Sequence, residues 1–133
     1  MKFIVAAVAV GFGATLGMLS EDDERTIICA PGYSSQFRLE GGAYHELARE
    51  AFAKAGLPLS YHCHRYDTRE DCGIVDHICP LELGCSNEQG NIQIQSRAEA
   101  KAKDVEENKA RRDYCSGKIT LPEARGQFRR TRL

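Results

Sequence analysis

Several familiar signatures are missing from this chain. It has no Gly-x-Ser-x-Gly elbow, no glycine-rich phosphate loop and no Cys-x-x-Cys knuckle. Those absences argue against acyl transfer from an activated serine, a P-loop nucleotide site and a zinc knuckle. No Asn-x-Ser/Thr sequon occurs, so N-glycosylation is not expected. No internal repeat or low-complexity tract is visible, which argues against a solenoid or a disordered linker. Large apolar residues are sparse after Ser20, and no second long apolar run follows the first. Aromatics make up only 8% of the residues and form no stripe on which bases would stack.

What is present begins with a leader. Lys2 supplies a positive start, and residues 3–19 form an uncharged run rich in Ala, Val and Gly. This run is short for a spanning helix, is loosened by Gly11, Gly13 and Gly17, and is followed at once by Glu21, Asp22, Asp23 and Glu24. That pattern predicts a signal peptide over residues 1–20 and a single secreted domain over 21–133. Thr15-Leu16-Gly17 places small residues for cleavage after Gly17, and Ser20 is the other candidate. After leader removal no membrane attachment is expected.

All six cysteines, Cys29, Cys63, Cys72, Cys79, Cys85 and Cys115, lie beyond the leader. An even count in a short secreted chain reads as a disulfide framework. The bridges answer a physical need, because a small core leaves little stability once conformational entropy is counted. Connectivity stays open from spacing alone. The expectation is that Cys29 pairs with Cys115 or Cys63, and that the others pair within the central cluster.

The elements can be read in outline. Residues 21–25 read as a flexible charged lead-in and residues 26–29 as a β-branched strand. Residues 36–39 read as a second short strand. Tyr44, Leu47, Ala48, Ala51, Phe52 and Ala55 share one face of a helix over 43–56, stopped by Gly56 and Pro58. Residues 57–64 alternate as a half-buried strand with Cys63 inward and His62 and His64 outward. Residues 66–90 read as irregular and bridged, and 91–95 as a short strand. Ser96 and Glu99 form a capping-box pattern ahead of a polar helix over 97–113. Thr120 and Glu123 form a second, with Pro122 in the first turn of a final short helix. The fold class expected is α+β: a small disulfide-stapled domain with a short antiparallel sheet, one packed amphipathic helix and a polar, basic C-terminal helical arm over 97–133.

Charge is uneven along the chain. Residues 21–96 hold 6 Lys/Arg against 13 Asp/Glu, and residues 97–133 hold 11 against 6. A basic end suits an acidic partner, with Arg125, Arg129, Arg130 and Arg132 as candidate contacts alongside His62 and His64. The interspersed acids and the lack of aromatics count against nucleic acid. Two dibasic pairs, Arg111-Arg112 and Arg129-Arg130, are candidate processing sites, the second in an exposed tail.

Two chemical readings compete with simple binding. His62-Cys63-His64 near Cys72, His77, Cys79 and Cys85 has zinc-ligand types, but its spacing is not that of a zinc motif, and thiols in an oxidising compartment pair with each other. No metal and no cofactor are therefore assigned. His45, Glu46, His62, His64 and Arg65 supply the residue types of a small ribonuclease, which needs proton-transfer groups beside a phosphate-holding cation. That reading requires the residues to converge in space. No catalytic residue is assigned on residue types alone.

The leader opening Met1-Lys2-Phe3, a mature part of about a hundred residues and scattered cysteines together resemble the small secreted cysteine-rich proteins of filamentous fungi, including candidate effectors that act on a plant host. The likeness is one of class and rests on no residue-by-residue motif. It implies a secreted, non-enzymatic protein that binds a protein partner outside the producing cell, effector-like or toxin-like. The alternatives are a secreted ribonuclease-like enzyme and a protease inhibitor presenting the bridged 66–90 loop, whose bracing would preorganise it.

Overall fold

The computed structural model describes residues 19–130. The expected leader lies, except for its last two residues, outside the described residues, as does Arg132. The elements run α1 (Glu21–Ile28), α2 (Gly41–Ala55), β1 (Ile74–His77), β2 (Ile92–Gln95), α3 (Arg97–Cys115) and α4 (Leu121–Arg125), joined by short 3-10 turns. The α+β class, the short antiparallel sheet, the packed amphipathic helix and the polar C-terminal helices are all present, stapled by three disulfides.

The first element departs from expectation. Residues 21–28 form a helix rather than a lead-in and a strand. Ser20 is its N-cap, accepting from the Asp23 amide, and the first turn holds Glu21, Asp22, Asp23 and Glu24. Carboxylates at a helix N-terminus are stabilised by the unsatisfied amides there, and this overrides the β preference of Thr26, Ile27 and Ile28. The helix also has something to bury. Ile28 is fully covered, and the Arg25 guanidinium lies over the Tyr114 ring at 5.0 Å while its Nε donates to the Tyr114 carbonyl at 2.9 Å.

Two clusters share the interior. One gathers Ile28, Tyr33, Leu83, Ala110, Tyr114, Leu121, Ala124 and Phe128, joining α1, α3, α4 and the turn at Leu81–Leu83. The other sets Leu47, Ala51 and Phe52 of α2 against Ile92 and Ile94 of β2. β1 pairs antiparallel with β2 in the register Ile74 to Gln95 and His77 to Ile92. β2 is buried on both faces. Its isoleucines meet α2, while Gln93 donates to Asp76, which in turn pairs with Lys103 of α3.

The polar helix over 97–113 forms as expected, with its Ser96–Glu99 capping box intact, and extends to Cys115. Val105 stays 68% exposed, so its one large aliphatic contributes little. Docking comes instead from Ala110 and Tyr114 and from Lys103, a buried cation held by Asp76, Glu107 and the His77 carbonyl. A buried charge is tolerable only when so matched.

Three further strand expectations change. Residues 36–39 carry no strand, because a 3-10 turn at Ser34–Gln36 leads into coil. In 57–64, Pro58 opens a 3-10 turn at Leu59–Tyr61 that breaks the period of two, leaving Leu59 half exposed and only an isolated bridge between His62 and Gly73. β1 arises inside the 66–90 stretch, where the sequence shows no clean period, because all four of its residues are half-buried and none alternates with solvent.

The disulfides are Cys29–Cys115, Cys63–Cys72 and Cys79–Cys85. The first ties α1 to the end of α3 across 86 residues, and the other two close rings within the central cluster.

Candidate binding cleft

Three of the chain's four histidines meet in one place. A cleft of about 660 Å³ is lined by Tyr44, His45, Ala48 and Arg49 on one wall and by Leu59, His62, Cys63, His64 and Arg65 on the other. The first wall is the border between the apolar and polar faces of α2, where positions three and four apart fall side by side. The second is the chain between the 3-10 turn and the Cys63–Cys72 ring.

That second wall is held from several directions. The Cys63 amide donates to the Gly73 carbonyl at 2.9 Å, and the Gly73 amide to the Tyr61 carbonyl at 2.8 Å. Gly73 permits this approach, because a Cβ there would lie 2.6 Å from Ile94 Cγ2 and force that side chain to shift. The ring itself is organised by Asp67. Its carboxylate accepts from the Arg69 amide at 2.8 Å and from Arg69 Nε at 2.6 Å, while Arg69 Nη2 reaches the His62 carbonyl at 3.0 Å. The Arg69 amide, Asp67's largest favourable partner, and the guanidinium beside it hold this carboxyl down at about 2. Arg97 of α3 then donates to the carbonyls of Arg69 and Asp67, both at 2.6 Å, and moors the ring to the domain.

Within the cleft His62 is the most constrained imidazole. Its ring meets the Phe52 ring edge-on at 5.2 Å, and its Nε2 shares a hydrogen bond with Tyr44 Oη at 3.2 Å. Burial, followed by the neighbouring His64 and His45, pushes its pKa below the usual 6.5. His45, His64, Arg49 and Arg65 are exposed. Arg49 is paired at 2.6 Å with Glu46, which lies outside the lining. Arg65 lies over the Tyr66 ring at 5.6 Å and donates no hydrogen bond among the described residues.

The other expected contact residues lie elsewhere. Arg125 Nε donates to the Leu83 carbonyl at 2.9 Å, and Arg130 donates to the Ile92 and Gly90 carbonyls at 3.1 and 3.2 Å, so both guanidiniums brace the fold. Arg129 is exposed beside a separate groove containing Phe128. His77 is bonded to Asn87 at 2.8 Å and stands apart from the other histidines. Every cysteine is bridged, and among the described residues no group of three or more His, Cys, Asp or Glu is arranged to hold a metal ion. The 66–90 segment is threaded through the fold, contributing β1 and the buried Cys72, Leu81 and Leu83.

Sequence reasoning named His45, His62, His64 and Arg65 but missed Tyr44, Arg49 and Leu59 as their companions. For Tyr44 and Arg49 the signal was available, since both flank His45 and Ala48 on the α2 wheel. Leu59 gave none, because its exposure follows from the turn that Pro58 imposes. No helix among the described residues is long and apolar enough to cross a membrane. No known protein family, curated protein or solved structure matches the chain.

Proposed function

We propose that this is a secreted binding protein that captures a protein partner outside the producing cell, and that the imidazole–guanidinium cleft is its contact surface. One observation carries the reading: the chain gathers His45, His62, His64, Arg49 and Arg65 around a half-open cavity and fixes one wall of it with the Cys63–Cys72 ring and the Asp67–Arg69–Arg97 mooring. Rigid walls favour binding because little side-chain and loop entropy remains to be lost. The rim adds contact area, with Leu59 50% and Tyr66 88% exposed. Disulfides persist in oxidising compartments, which supports an extracellular site of action. The effector-like or toxin-like role is part of this proposal.

The test is partner capture by the native secreted protein and by a His64→Gln/Arg65→Gln variant. Loss of capture with an unchanged melting temperature supports the cleft as contact surface. Undiminished capture moves that surface elsewhere, with Arg129 next to be examined.

A ribonuclease-like reading has an observation of its own in its favour, namely the convergence of His45, His62, His64 and Arg65 in one cleft. Two imidazoles can serve as base and acid while a guanidinium holds phosphate. Glu46 takes no part, since it pairs with Arg49 outside the lining. Cleavage of RNA by the native protein, abolished in His62→Ala, would establish this activity. Absence of cleavage by the native protein eliminates it.

A further inference from the structure

The cleft runs against the electrostatics of its surroundings. Residues 21–96 carry more than twice as many acids as bases, yet among the described residues no carboxylate lines this cavity. Its polar lining consists instead of three imidazoles, two guanidiniums and the Tyr44 hydroxyl. The two guanidiniums, His45 and His64 can present N–H donors to an anion, and the Tyr44–His62 pair, bonded to each other, keeps one donor for it. They come from two facing walls, so the ligand group that satisfies them must accept in several directions at once. Among the described residues, Arg65 is the cation of the set with no hydrogen bond or ion pair, its guanidinium lying over the Tyr66 ring. Arg49 is held by one exposed ion pair, which water already weakens and a better anion would displace.

We propose that the cleft is a receptor for an organic phosphate monoester. A carboxylate offers two oxygens in one plane, which a single guanidinium satisfies. A phosphoryl group offers three terminal oxygens in a tetrahedral spread, suited to donors converging from opposite walls. The cavity of about 660 Å³ also has room for an organic body beyond the phosphoryl group, and falls within the range of small-ligand pockets. Ala48, Leu59, the Cys63 bridge and the Tyr44 ring give that body an apolar surface. Near neutral pH a monoester carries between one and two negative charges, a match for the Arg65 and Arg49 guanidiniums, with His45 and His64 beside them as N–H donors. This assignment rests on reading the cleft as the contact surface. The phosphoryl group is either part of the captured partner, as a phosphorylated side chain, or part of a free small molecule.

The experiment titrates the native protein with phenyl phosphate, benzoate and a short oligouridylate at pH 6, following the imidazole resonances of His45, His62 and His64. The expected result is that phenyl phosphate moves those resonances and binds at least tenfold tighter than benzoate. The His64→Gln/Arg65→Gln variant should lose at least tenfold in affinity without a change in melting temperature. Equal affinity for benzoate, or unchanged affinity in the variant, overturns the phosphate assignment. Tighter binding of the oligouridylate than of phenyl phosphate overturns it in favour of a nucleic acid. Phosphatase treatment of the captured partner separates the two sources: capture is lost if the phosphoryl group belongs to the partner and retained if the ligand is free. Capture that depends on the cleft while phenyl phosphate fails to bind sinks the ligand class alone. Phenyl phosphate binding with capture indifferent to the variant sinks the contact-surface reading alone.

Discussion

Gly73 shows how one missing side chain positions a site. Its Cα side faces Ile94 and Tyr61, where an added Cβ would meet Ile94 Cγ2 at 2.6 Å and the Tyr61 ring at 3.1 Å. The same residue exchanges backbone hydrogen bonds with Tyr61 and Cys63, which bracket His62. Gly73→Ala should therefore cost about 1–3 kcal/mol by overpacking and shift the cleft wall. Urea unfolding measures the first effect and phenyl phosphate affinity the second; an unchanged midpoint would show that the sheet yields freely. Ser20 carries a second residue-scale prediction. Its Oγ accepts from the Asp23 amide at 3.1 Å and its carbonyl from the Glu24 amide at 3.0 Å. Cleavage after Ser20 would strip α1 of its cap, at a typical cost of about 1 kcal/mol. The mature chain is expected to begin at Met18, with the cut after Gly17. Intact mass of the mature protein decides it, and a mass beginning at Glu21 would place the cut after Ser20 instead. At this scale the sequence was informative about identities: four residues of the cleft were named, and Cys115 was one of two partners expected for Cys29, although spacing left the connectivity open. It was silent on Gly73, because a close approach between distant segments leaves no local mark.

At the scale of elements, what could be read depended on whether the determining interactions were local. α2 and α3 were legible because their signals lie within a turn or two of each residue: the apolar face and Gly56 for α2, the Ser96–Glu99 box for α3. α1 was misread because β-branched residues were given more weight than the acids ahead of them. β1 was missed because both its partner strand and its covering helix are supplied by later sequence. α3 also has a role that its own composition does not announce. Arg97, in its first turn, donates to the carbonyls of Asp67 and Arg69 and so anchors the ring behind His62 and His64. Arg97→Ala should leave α3 folded but loosen residues 64–71. The expected outcome is faster proteolysis confined to that ring, with affinity for the cleft ligand reduced severalfold. Cleavage unchanged at the ring would mean that the Cys63–Cys72 bridge and Asp67 suffice.

For the whole molecule, the long bridge and the titrating groups set stability. Cys29–Cys115 closes a ring of 86 residues, and in the chain-entropy view such a bridge contributes roughly 4–5 kcal/mol, against about 2–3 for the short rings. The double variant Cys29→Ser/Cys115→Ser should therefore be the most damaging of the three bridge deletions by melting temperature. Acid acts through the histidines first. Burial, the leading cause in each case, lowers the pKa of His62 and of His77 below 6.5. The unfolded chain then binds more protons than the folded one in that range, so stability present at neutral pH falls as pH drops through 6.5. Glu107 acts in the opposite sense. Burial raises it above 4.5 against the pull of Lys103, so its protonation favours the folded state, and only at lower pH. Asp67, depressed from 3.8 to about 2, loses its contribution last, between those two values. Urea midpoints measured from neutral pH downward should decline first below 6.5, ease as Glu107 protonates, and decline again below 3.8. In a His62→Gln/His77→Gln variant the first decline should disappear while the last persists. If the first decline survives in that variant, the sensitivity lies in groups outside the cleft and the sheet.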